Sequence, residues 1–203
     1  MSIHQSTAYT AEDALERLIA GNDRFVRGEA RFPTVQKEIL AALAKGQHPY
    51  ATVLGCSDSR VPPELIFDAG FGELFIVRVA GNVISPEVMG TLQYAGVHLR
   101  TPLFVVLGHE GCGAVQAALA ARYNRQQPAR IAGLLDNILP GLSGLPAALA
   151  PDAEMDAAVE ANVRWSMHQL LETPEAKARL VEGRMKLVGC VYEFNSGRVR
   201  FLP

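Results

Sequence analysis

Cysteine is scarce in this chain of 203 residues. There are three, an odd number and too few for a disulfide framework. In a reducing compartment, cysteines near a histidine bind metal or do chemistry more often than they cross-link. Charge of one sign is also missing. Lys and Arg number 19 and Asp and Glu 21, a net charge of −2. That balance gives no basic surface for nucleic acid or an anionic membrane, so neither partner is expected. No apolar run approaches the roughly 20 residues of a membrane span. The start, Met1 to Thr7, has no basic region followed by an apolar core. A secretory signal is therefore not expected, and the location is read as cytoplasmic. Repeats and low-complexity linkers are absent too. The length suits one domain, residues 1–203, with a helical arm at about 10–45.

Almost half of the residues are hydrophobic, and their pattern alternates strand and helix. Thr10 is a good N-cap, with Glu12 and Asp13 in the first turn. Leu15, Leu18, Ile19, Phe25 and Val26 then form a stripe of helical period that ends near Gly28. Arg31 to Thr34 reads as extended and Val35 to Lys45 as a short helix. Strands are expected at 50–55, 74–79, 103–108, 185–194 and 199–202, the last two joined by an Asn195-Ser196-Gly197 turn. Helices are expected from Pro86 to His98, Ala114 to Arg122, Asp152 to Leu171 and from Pro174 onward, with a short helix and loop between 126 and 151. The expected class is α/β: a mainly parallel central β-sheet, flanking helices, and an antiparallel C-terminal edge strand.

Two motifs carry chemistry. Cys56-Ser57-Asp58-Ser59-Arg60 follows the first strand, and His109-Glu110-Gly111-Cys112 follows the third. Both lie at strand C-termini, where such sheets bind ligands. Cys56, His109 and Cys112 offer two thiolates and an imidazole, a donor set for zinc with a fourth position open. Gly111 and Gly113 let the backbone fold closely around an ion. Two thiolates cancel the charge of Zn²⁺ and weaken its pull on bound water. Asp58 can accept a hydrogen bond from that water, and Arg60 can hold Asp58 bidentately and off the metal. Alternation along an extended segment would put Cys56, Asp58 and Arg60 on one side.

These two signatures resemble the β-class carbonic anhydrases. The likeness runs over roughly residues 12–122, through Gly72-Glu73-Leu74-Phe75, Arg78-Val79-Ala80-Gly81-Asn82 and the Tyr94 helix, and more weakly in the final hairpin. It implies a zinc-bound hydroxide attacking CO2 to give bicarbonate and a proton, one Zn²⁺ per chain, and Asp58 with Arg60 as the orienting pair. It implies a homodimer or dimer of dimers with active sites at the dimer interface. The N-terminal helix would then wrap the neighbouring subunit and give its apolar stripe a partner. Gln47, Phe75, Ala80, Tyr94 and Gly113 would form the substrate pocket, Gln47 reaching across the dimer. Ala80 stands where the pattern usually has valine, which widens the wall. Val53 stands where the bicarbonate-inhibited subgroup carries tryptophan, so the open-site, plant-like subgroup is expected.

Other readings of the same residues stay open. Carbonyl sulfide or carbon disulfide hydrolysis would use the same fold and zinc. A structural zinc protein would need a fourth protein ligand. Nucleophilic chemistry by Cys56 or Cys112 with His109 leaves one thiol without a task. Elsewhere, Cys190 reads as core, His48 as a loop residue, His98 and His168 as surface or structural, and Arg78 as an ion-pair residue.

Overall fold

The computed structural model describes residues 9–31, 40–41, 43–122, 128–146 and 149–203. Its frame is a five-stranded sheet of order β2-β1-β3-β4-β5. The strands are β1 (Ala51–Gly55), β2 (Leu74–Arg78), β3 (Leu103–His109), β4 (Lys186–Tyr192) and β5 (Val199–Phe201). The first four are parallel, and β5 runs antiparallel to β4 at the edge. β1 and β3 are buried at every position, which explains their unbroken apolar runs. Cys190, on β4, is fully buried as core.

The helices are α1 (Ala11–Val26), α2 (Pro63–Ile66), α3 (Pro86–Tyr94), α4 (Gly113–Ala121), α5 (Ala129–Leu135), α6 (Pro151–Leu171) and α7 (Pro174–Val181). A π-turn, Ala95–Leu99, extends α3 to about the end expected for it. Thr10 caps α1 through a reciprocal pair: its hydroxyl accepts from the Asp13 N–H, and the Asp13 carboxylate accepts from the Thr10 N–H. Among the described residues, no helix is long and apolar enough to cross a membrane. The extended reading of Arg31 to Thr34, the helix from Val35 and the start of the 126–151 loop fall wholly or partly outside the described residues.

The stripe of α1 was expected to need a neighbouring subunit, yet most of it is covered within the chain. Ala14 and Leu18 are fully buried, Leu15 and Phe25 pack against the core, and Ile19 stays exposed. The reason is a close approach at Gly21, where a Cβ would lie 1.9 Å from the Phe67 carbonyl oxygen. Next to it, Asn22 donates to the Ile66 and Gly197 carbonyls and accepts from the Val199 N–H. One buried amide thus ties α1 to α2 and to the C-terminal hairpin. Gly21→Ala is expected to push α1 off this seat and to cost about 1–3 kcal/mol of stability, the usual range for overpacking. Urea unfolding of the two proteins measures it, and equal midpoints would refute the seat.

Candidate metal centre

The chain leaves β1 towards β2 on one side and later enters β3 on the other. The crevice outside the carboxyl ends of two such strands is where an open α/β sheet receives a ligand. Cys56 directly follows β1, His109 is the last residue of β3, and Cys112 is the N-cap of α4. Between the last two, the chain turns at Gly111, whose φ of 56° lies in the left-handed region that glycine enters without strain.

One ligand atom from each of Cys56, His109 and Cys112 lies within 4.8 Å of the other two, and all three residues are buried. The two Sγ atoms are 4.0 Å apart. Two sulfurs each about 2.3 Å from a tetrahedral zinc would stand about 3.8 Å apart. His109 Nδ1 lies 2.8 Å from the Glu110 carbonyl oxygen, to which its N–H donates. In the neutral ring that leaves the lone pair on Nε2, which is buried and has no hydrogen-bond partner among the described residues. Orphaned buried nitrogens are costly, so this one asks for a ligand. Beside Cys112, with His109 and the N–H groups of Gly81 and Asp58 turned to it, the Cys56 thiol is pushed down. Cys112, next to that thiolate and buried, is pushed up. A second thiolate here requires a cation between the sulfurs, so the donor set fits a divalent metal.

Asp58 and Arg60 stand at the mouth. Arg60 donates from Nε to Asp58 Oδ1 at 3.0 Å and from its terminal nitrogen to Oδ2 at 2.8 Å. The Arg60 backbone N–H also donates to Oδ1, at 3.0 Å. These bonds hold the Asp58 carboxyl well below the usual carboxylate range. Its Oδ2 lies 3.9 Å from His109 Nε2. Strand alternation is not what gathers these side chains. β1 stops at Gly55, and the Asp58 carboxylate closes a turn on the Arg60 N–H while the Asp58 carbonyl accepts from Val61 N–H. The Asp58 N–H in turn points at Cys56 Sγ, 3.4 Å away.

Arg78 was read as an ion-pair residue, and the structure corrects this. Its guanidinium donates to two backbone carbonyls, that of Cys56 at 2.9 Å and that of Asp58 at 2.5 Å. It clamps the loop that carries the first motif, and a strand-end arginine facing a turn of free carbonyls was the available signal. Glu110 and Phe194 were missed altogether. Glu110 accepts from the Phe194 N–H at 2.8 Å and donates its own N–H to the Tyr192 carbonyl at 3.0 Å. The Phe194 ring lies edge-on to His109, with centroids 5.5 Å apart, and the Arg60 guanidinium sits 4.1 Å from its centre. An aromatic residue inside a turn otherwise rich in polar residues was the only sign in the sequence.

The five residues expected to hold the metal and its gate, Cys56, Asp58, Arg60, His109 and Cys112, come together within one chain; the expected pocket residues are more scattered. Gly113 opens α4 directly after Cys112. Ala80 precedes Gly81, whose N–H lies 3.3 Å from Cys56 Sγ. Phe75 and Tyr94 pair with each other at 6.2 Å, and Tyr94 is exposed. Gln47 and His48 occupy an exposed loop. His98 packs on Tyr94, and His168 stacks on Trp165. A groove of about 780 Å³ between the start of α1 and α7 lies towards the other end of β3, at Pro102. Volume is therefore not what marks the site; unpartnered donor chemistry is.

Comparison with known proteins agrees with this geometry. The sequence pattern of the family described as "Carbonic anhydrase" matches residues 51–199. The chain is 38% identical over 188 residues to carbonic anhydrase 2 of Mycobacterium tuberculosis, covering 91% of this chain and 89% of that protein. It is 39% identical to the carbonic anhydrase of Mycolicibacterium smegmatis, covering 92% and 90%. Among solved structures, the β-carbonic anhydrase CcaA superposes with a TM-score of 0.76 at 27% identity, over 93% of this chain and 91% of that one.

Proposed function

The chain belongs to the β-class carbonic anhydrases, and from that membership and the metal centre we infer that it catalyses the reversible hydration of CO2 to bicarbonate and a proton. The observation that carries the reading at this chain's own site is the buried Nε2 of His109, without a hydrogen-bond partner among the described residues, close to two buried sulfurs. Cys56, His109 and Cys112 would hold one Zn²⁺. When bound, the metal supplies Lewis acidity that lowers the pKa of water at its open position.

The protein's own part is orientation. Asp58, kept ionised by Arg60, accepts a hydrogen bond from the attacking water and directs its lone pair at the carbon of CO2. The water oxygen becomes the third oxygen of bicarbonate, and its proton passes to solvent. The bidentate grip of Arg60 also keeps the carboxylate away from the fourth metal position, which favours an open site. Arg78 fixes the loop on which both side chains stand. Phe75, Ala80, Tyr94 and Gly113 would line the CO2 path, with Gln47 reaching it from a second copy.

A homodimer is part of the same reading. Phe71, Tyr94 and Val97 are large hydrophobic residues left exposed, at 61%, 46% and 51%. A partner covering Tyr94 would also bring its own Gln47 loop to this pocket. The structural-zinc alternative needs a fourth protein ligand, and the candidate, Asp58, is turned to Arg60.

The test is metal analysis of the purified protein with stopped-flow CO2 hydration, and sulfide release from carbonyl sulfide measured in parallel. The expected result is one zinc per chain, fast hydration and slow sulfide release. Zinc-free protein that hydrates CO2 would overturn the metal assignment, and sulfide release outrunning hydration would overturn the substrate.

A further inference from the structure

Phe194 contributes to neither metal binding nor substrate contact in the mechanism above, yet its ring touches both halves of the site. It sits in the turn between β4 and β5, at the far end of the sequence from Arg60. Three contacts fix it. Its N–H donates to the Glu110 carboxylate, which belongs to the His109–Cys112 loop. One edge meets His109 at 5.5 Å and an interplanar angle of 69°. Tyr192 meets it edge-on, at 5.5 Å and 86°. The Arg60 guanidinium lies over the ring, 4.1 Å from its centroid.

The Arg60 side chain is otherwise 59% exposed. A long, flexible, solvated side chain holds a partner weakly, because ordering it costs rotamer entropy. An aromatic face removes much of that freedom and adds cation–π attraction. We propose that Phe194 is a positioning residue for the Asp58–Arg60 gate: the C-terminal turn presents its ring as the platform that keeps Arg60 in the orientation that restrains Asp58. Glu110 makes the platform and the metal-ligand loop one body. The gate is thereby built from three distant parts of the chain: the end of β1, the end of β3 and the final hairpin.

The proposal rests on the zinc and gate assignment above, and its test separates the two. Phe194→Leu and Phe194→Met keep an apolar side chain but have no aromatic face. Without the platform, Asp58 is released towards the metal more often and competes with water for the open position. The variants are expected to lose about two- to fivefold in kcat/KM, the size of an exposed cation–π contact. They are also expected to give up zinc to a chromophoric chelator more slowly than wild type, because a fourth protein ligand is then available. Phe194→Tyr, which restores a face, should recover most of both changes. In an Arg60→Ala background, Phe194→Leu should add nothing further.

The zinc-release direction is decisive. If Phe194 merely supports the His109 ring, its loss loosens the metal, and release becomes faster. Faster release, unchanged kinetics, a full additional effect in the Arg60→Ala background, or failure of both Leu and Met variants to fold would each overturn the proposal. A wild-type protein without zinc or CO2 hydration would overturn the functional reading itself.

Discussion

Cys56→Ser protein is expected to emerge folded, without zinc, and with CO2 hydration reduced to the uncatalysed background. Serine nearly matches the volume of cysteine, and Cys56 lies just past the end of β1, so the core loses little. The N–H groups of Gly81 and Asp58, which now point at the sulfur, can donate to a hydroxyl. What serine cannot do is offer a thiolate. The Cys56 thiol is pushed down by Cys112, His109 and those N–H groups, whereas an alcohol stays protonated in the same place. Changing outer groups around a metal costs about 10–100-fold in affinity or activity, and losing a ligand should exceed that. Atomic absorption and stopped-flow hydration measure the loss, with circular dichroism as the control for fold. A variant that keeps one zinc per chain would remove Cys56 from the ligand set. One that loses its fold with its zinc would favour a structural ion.

The largest effect on stability is expected away from the site, at Asp68. Its side chain is 2% exposed and holds two cations, Arg24 at 2.5 Å and Arg31 at 3.0 Å, and it also accepts from the Arg31 N–H at 2.8 Å. These bonds join the end of α1 and the segment after it to the turn after α2. Burial alone would raise this carboxyl, but the bonds from Arg24 and Arg31 together outweigh it and hold it below its ordinary value. Asp68→Asn keeps the shape and tolerates the residue's φ of 44°, but removes the charge and turns one of the two accepting oxygens into an NH2 donor that faces the arginines.

Breaking a buried pair costs about 3–5 kcal/mol, and the exposed reach of the arginines here brings the expected loss to about 2–3 kcal/mol near pH 7. The pH dependence follows from the direction of the shift. Since the folded-state pKa lies below the unfolded value of about 3.9, the wild-type advantage is fully present above that value. It is lost as pH falls through the folded-state pKa, so wild type and variant should converge in acid. Urea denaturation across pH tests this, and a gap that stays constant or widens as pH falls from the unfolded value of about 3.9 towards the acid limit would contradict it.

The parts of the fold that were legible in the sequence share one property: their signal is local. Leu103 to Leu107 reads as a buried strand because five apolar residues in a row have no other easy home. Thr10 and Asp13 announce the start of α1 because both halves of the cap lie within one turn. The donor set Cys56, His109 and Cys112 was legible because each residue type names its chemistry and both motifs follow strands.

Other features depended on distance. The cover that the chain itself gives most of the α1 stripe was not legible, because Gly21 meets Phe67, 46 positions away, and no local pattern records that approach. Arg78 changed role because its acceptors are backbone carbonyls, and every residue carries one.

The sequence by itself thus set a thiol, a carboxylate and a guanidinium in one motif, Cys56 to Arg60, and an imidazole and a second thiol in another, His109 to Cys112. Only the tertiary structure decided how they meet. A turn closed by the Asp58 carboxylate, rather than strand alternation, aims Arg60 back at Asp58. The order β2-β1-β3 sets the two strand ends side by side. Phe194 arrives from the last hairpin because β4 pairs with β3 along its whole length, which carries the following turn to the His109 end. Residue chemistry is written locally and can be read from a string; a shared face or a returning hairpin depends on pairings that only the folded chain completes.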